Sequence, residues 1–70
     1  MSRPMQLTVN GENREVEDGL SVEALLRRLG LEPAKVAVER NLEIVSRSRF
    51  GATALAAGDR LEIVQFVGGG

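Results

Sequence analysis

The chain closes on Gly68-Gly69-Gly70, directly behind the apolar residues Phe66 and Val67. Three residues without Cβ cannot pack, cap or pair strongly, and they carry the largest backbone freedom, so as structure they contribute little. As chemistry they have a use. A glycine stretch is narrow enough to thread into another protein's active site, and it presents the unhindered α-carboxylate of Gly70 a few residues beyond a folded body. A carboxylate resists nucleophiles until one of its oxygens becomes a leaving group, and ATP supplies that by forming an acyl adenylate. The bland alternative is an ordinary frayed terminus or an expression linker.

Elsewhere the chemical repertoire is thin. Neither Cys nor His occurs, which removes disulfides, thiolate and imidazole metal sites, a cysteine nucleophile and the side chain that titrates unperturbed near neutrality. Lys35 is the only lysine. Its residue type suits a Schiff base, but beside Pro33-Ala34 and with no partner group in view it reads as solvated surface. No phosphate-cradling pattern occurs, because the glycine run ends the chain instead of opening a helix. An enzyme is therefore not expected, and neither is a bound cofactor or metal.

Nine basic and ten acidic residues give a net charge of -1, spread evenly along the chain. Nucleic-acid binding begins with phosphate neutralisation by a basic face, and single-strand binders add aromatic platforms. Only Phe50 and Phe66 are aromatic, so no nucleic-acid partner is expected. The longest uninterrupted apolar run, Ala54 to Ala57, is too short for a membrane span or a signal-peptide core, which makes a cytoplasmic protein with no membrane partner the default. Arg47, Arg49 and Arg60 read as a solvated face, with an acidic partner surface as the alternative.

These features must be carried by one small domain. Seventy residues leave no room for a second core, and 21 of them are Leu, Ile, Val or Phe, enough to build one. Met5, Leu7 and Val9 alternate with polar residues as a half-buried strand does, and Asn10-Gly11 offers the φ > 0 pair of a tight hairpin turn. The return segment, Asn13 to Glu17, has Val16 as its one apolar residue and reads as a charged edge strand. Ser21 is placed to cap a helix over about residues 22–29, with Leu20 and Leu25 as a hydrophobic staple. Val22, Leu25, Leu26 and Leu29 form its apolar stripe, Arg27 and Arg28 suit its C-terminal end, Gly30 suits a left-handed cap and Leu31 can fold back on Leu26.

Further along, Lys35 to Arg40 and Ile44-Val45 read as two short strands joined by a turn at Asn41-Leu42. Ser46 to Ala57 shows no sustained period; Phe50, Ala54 and Leu55 are expected to cover one end of the core through a single helical turn. After a turn at Ala57-Gly58-Asp59, Arg60 to Val67 is the longest strand, with Leu61 and Ile63 on one face and Val64 and Phe66 on the other. A single helix covers one face of so small a sheet, so the second apolar set is a candidate docking patch adjoining the tail; for Val64 a core position is the competing reading.

In this order the elements resemble the ubiquitin-like β-grasp fold, an α+β arrangement of a mixed four- to five-stranded sheet on one main helix. The expected division is residues 1–66 as the domain and 67–70 as a flexible glycine tail. Four stretches carry a closer resemblance. They are Met5 to Glu12, Val36 to Asn41, Arg47-Ser48-Arg49, and Gly58 to Val64 leading into Phe66-Val67-Gly68-Gly69-Gly70, and together they are similar to the ThiS sulfur-carrier proteins of thiamine biosynthesis. Leu42 stands where that family often has a turn glycine, and Ser46 where proline often precedes the arginine.

The resemblance implies that an E1-like adenylating enzyme of the ThiF type consumes ATP to activate the Gly70 carboxylate, which then becomes a thiocarboxylate. Sulfur would come from a persulfide donor such as a cysteine desulfurase and pass to a thiazole synthase of the ThiG type. Absence of cysteine agrees with this, since a sulfur cargo has no side-chain thiol to ride on. Gly68 and Gly69 would supply the narrow approach, and Val64, Phe66 and Val67 the docking contacts. Competing readings are the small subunit of molybdopterin synthase, a ubiquitin-like modifier and a passive interaction domain.

Overall fold

The computed structural model describes residues 3–66. Strand β1 (Pro4–Val9) pairs antiparallel with β2 (Glu12–Glu17), in register from Pro4↔Glu17 to Val9↔Glu12. Asn10 and Gly11 join them at φ 51° and 83°, the pair of left-handed residues that a type I′ turn requires. Met5, Leu7 and Val9 are buried, whereas β2 buries no residue and half-buries only Val16. The hairpin therefore has one core-facing strand and one charged edge.

Helix α1 (Val22–Arg28) is capped at both ends by side-chain and backbone groups. Ser21 Oγ accepts from the Ala24 amide at 3.1 Å. At the other end Leu29 is the cap residue instead of a helical one, and Gly30 turns left-handed at φ 76°. Gly30 N–H then donates to the Arg27 carbonyl and Leu31 N–H to the Leu26 carbonyl, at 3.1 and 2.9 Å, the paired bonds of a Schellman motif. Leu31 packs against the core as a result.

The aperiodic stretch before the last strand proves to be the lid of α1's N-terminus. The Thr53 and Phe50 carbonyls accept from Val22 and Glu23 amides, each at 3.0 Å, and so satisfy two donors that a helix start leaves unpaired. Phe50 and Leu55 are buried beneath this lid, and a 3₁₀ turn at Arg47–Arg49 leads into it. Ala54 is exposed, contrary to expectation. It pairs with Ser21 in an isolated antiparallel bridge while Leu55 N–H donates to the Leu20 carbonyl. Neighbouring residues on extended chain face opposite ways, so burying Leu55 turns Ala54 outward.

Strand β3 (Val36–Arg40) starts one residue later than the sequence suggests, because Lys35 closes a 3₁₀ turn that begins at Pro33. A turn at Asn41 and Leu42 leads to β4 (Glu43–Val45), and β5 (Arg60–Gln65) completes a five-stranded sheet ordered β2-β1-β5-β3-β4. The last strand is thus central, parallel to β1 and antiparallel to β3. Leu7, Leu25, Leu26, Leu61, Val22, Val36 and Val38 are the most deeply buried side chains, each contributing about 1.5 to 3 kcal/mol by leaving water. This is the α+β, ubiquitin-like β-grasp arrangement, with a helix spanning one face of a mixed sheet. No helix among the described residues is long and apolar enough to cross a membrane.

Candidate functional site

Because β5 is central, its alternation assigns one residue set to the core and the other to the uncovered side of the sheet. Leu61 and Ile63 are buried; Val64 and Phe66 are 60% and 51% exposed. Val64 is therefore a surface residue and not a core one. It lies opposite Ala37 on β3, and in the next rank Glu62 faces Glu39, which in turn faces Ile44 on β4. Ile44 is 80% exposed. The uncovered face thus carries Val64, Phe66, Ala37 and Ile44 beside the acidic pair Glu39 and Glu62. Ile44 was not singled out by the sequence: its neighbour Val45 faces the core opposite Val38, and only the pairing shows which of two adjacent apolar residues turns outward.

Phe66 is the final described residue, and its N–H donates to the Lys35 carbonyl at 2.9 Å. Val67, Gly68, Gly69 and Gly70, the remaining candidates from the sequence, lie outside the described residues. Arg47, Arg49 and Arg60 are exposed. Among the described residues no group of three or more carboxylates is placed to hold a metal ion.

Two asparagines, each at φ near +50° in a hairpin turn, hold the central strand from opposite sides. Asn10 accepts from Ile63 N–H through Oδ1 at 2.7 Å and donates to the Ile63 carbonyl through Nδ2 at 3.1 Å. Asn41 accepts from Arg60 N–H at 3.0 Å and donates to Asp59 Oδ1 at 3.1 Å. Asp59, buried at the start of β5, also accepts from Arg40 Nε at 2.7 Å and from the Ala56 amide at 2.8 Å. Burial opposes its ionisation, but the Ala56 amide, the Arg40 guanidinium and the Asn41 carboxamide outweigh burial and hold the carboxyl below its usual range. From the sequence these three residues read as turn formers; apart from the local Asp59–Ala56 bond, their side-chain bonds span 18 to 53 positions and leave no local signature.

Comparison with known proteins fits this geometry. The model of the ThiS family matches residues 7–70, nearly the whole chain. This chain belongs to the ThiS family. The ThiS member from Bacillus subtilis, described as "Sulfur carrier protein ThiS", is 40% identical over 65 residues, which cover 91% of this chain and 98% of that protein. A crystal structure of the thiamine biosynthesis protein ThiS from Geobacter metallireducens superposes with a TM-score of 0.81 at 40% identity, covering 94% of this chain and all of that one. A thiazole synthase from Paramagnetospirillum magneticum is 54% identical over 66 residues. The chain spans 94% of its own length in that match but only 20% of the synthase, and the same shares hold for a thiazole synthase from Magnetococcus marinus at 48% identity.

Proposed function

We propose that this chain is a sulfur carrier of thiamine biosynthesis, a protein co-substrate and not a catalyst, whose Gly70 carboxylate is its reactive group. The observation that carries the reading is the match of the ThiS family through residue 70, on a chain whose last described strand, β5, is the central one of the sheet. The Gly70 carboxylate attacks the α-phosphorus of ATP in an E1-like enzyme, releasing pyrophosphate and leaving an acyl adenylate. The terminal sulfur of a cysteine persulfide displaces AMP to form an acyl C–S bond. A second thiol then attacks the persulfide's own cysteine sulfur, splitting its S–S bond to form a disulfide and release the thiocarboxylate. Gly68 and Gly69 allow entry to a narrow site because neither carries a Cβ.

Val64, Phe66 and Ile44 provide the docking surface in this reading, and Val67, next in the sequence, is proposed to contribute to the same contacts. Exposed apolar groups of this size on an otherwise charged surface mark an interaction face when they adjoin the reactive segment. Thiazole synthase is the proposed sulfur acceptor, supported by relatives of that name in which a homologous segment makes up one fifth of the protein. The test is incubation with ATP and the cognate adenylating enzyme, then mass analysis of the C-terminal peptide with and without a sulfur source. Replacement of one oxygen by sulfur is the expected result. A peptide unmodified in both cases sinks the reading, and lysine-linked conjugates that survive denaturation replace it with a modifier.

A further inference from the structure

We infer that Asn10 is a positioning residue whose carboxamide sets the direction in which β5 passes the chain on toward its terminal glycines. Backbone pairing between β1 and β5 is short, with only Thr8↔Arg60 and Val9↔Leu61 in register. Thr8 N–H donates to the Asp59 carbonyl and Asn10 N–H to the Leu61 carbonyl, both at 2.9 Å. Thereafter β1 turns away through Asn10-Gly11, while β5 continues for four more residues to Gln65. The next donor and acceptor on that side of β5 belong to Ile63, and the Asn10 side chain takes both. One planar carboxamide replaces the missing third strand residue. Past Ile63 the described contacts holding β5 come from the β3 side alone, through Val36↔Gln65 and the Phe66–Lys35 bond.

Residue type is constrained twice at this position. The backbone at φ 51° favours Gly, Asn or Asp, and of these only Asn offers a donor and an acceptor in one plane. Aspartate keeps the acceptor for Ile63 N–H but sets a second oxygen against the Ile63 carbonyl. Glycine keeps the turn and loses both bonds. These substitutions separate the clamp from the turn, which alanine, strained at positive φ, does not.

The consequence for tail charging rests on the carrier reading above, whereas the effect on strand geometry does not, so the test has two arms. In the first, Asn10→Gly and Asn10→Asp are compared with the parent by amide hydrogen exchange and residual dipolar couplings. Exchange at Ile63 is expected to accelerate about tenfold more than at Leu61 in Asn10→Gly, with Asn10→Asp intermediate, as loss of a local bond pair predicts. The N–H vectors of Val64 to Phe66 reorient in the same order. In the second arm, steady-state adenylation should show KM for the carrier raised about fivefold in Asn10→Gly with kcat unchanged, the pattern of a lost binding geometry. Unchanged couplings at Val64 to Phe66 overturn the inference whatever the enzyme does. Changed couplings with an unchanged KM confine it to structure, and a parent protein that is never adenylated sinks the carrier reading and leaves the first arm standing.

Discussion

Asp59 and Arg40 form the one partly buried ion pair among the described residues; the Asp59 side chain is 8% exposed and that of Arg40 31%. Removing the carboxylate strands a half-buried guanidinium and the Ala56 amide together, so Asp59→Ala should cost about 2 to 3 kcal/mol in urea unfolding. Its depressed pKa fixes the sign of a pH effect. Ionised Asp59 stabilises the fold above the unfolded-state value of roughly 3.9, and that contribution disappears as pH falls through the lower folded value. The acid limb of the parent's stability curve should flatten in Asp59→Ala; two parallel curves would contradict this account. Leu42 is the opposite case. It holds φ 72° with its side chain 85% exposed, so it bears left-handed strain with little packing in return. Leu42→Gly should raise stability by about 1 kcal/mol, read as a higher urea midpoint at unchanged slope.

Within β5, adjacent positions face different media, and substitutions there should separate folding from docking. Ile63 is 8% exposed and packs in the core, so Ile63→Ala should cost about 3 kcal/mol through the cavity it leaves. Val64→Arg and Ile44→Arg alter only the uncovered face and should change stability by less than about 1 kcal/mol. Affinity for the adenylating enzyme, measured by titration calorimetry, should nonetheless fall at least roughly tenfold, as expected when an apolar anchor is replaced by a charge. Equal affinities for Val64→Arg and the parent would remove the uncovered face from the docking proposal. The charged edge strand β2 makes the contrasting case, since Glu12, Arg14, Glu15 and Glu17 resist sheet-to-sheet pairing and leave the central strand's open face as the apolar surface.

For the molecule as a whole, the carrier reading divides the chain into a body that is recognised and a terminus that reacts. Deleting Gly69 and Gly70 should leave the thermal midpoint within about 1 °C, because glycine has no side chain whose burial could be lost. The same deletion should abolish adenylate and thiocarboxylate formation in the mass assay while preserving binding to the adenylating enzyme. A truncated protein that still accepts sulfur would place the reactive group elsewhere. One helix on a five-stranded sheet gives the body a single core, built from residues as far apart in the chain as Met5 and Ile63.

Local chemistry was legible in the chain itself. The Asn10-Gly11 turn, the Ser21 cap, the Gly30 stop and the alternation of Met5, Leu7 and Val9 each depend on neighbours a few positions away, and the described backbone carries all of them. Resemblance over residues such as Met5 to Glu12 and Gly58 to Val64 also marks the family from sequence alone. Tertiary structure alone decided which apolar residues remain outside. Val64 and Ile44 are exposed because one helix covers one side of the sheet, and Ala54 because its bridge to Ser21 turns Leu55 inward. It also decided the partners of Asn10, Asn41 and Asp59, since a hydrogen bond between residues up to 53 positions apart exists only once the chain between them has folded.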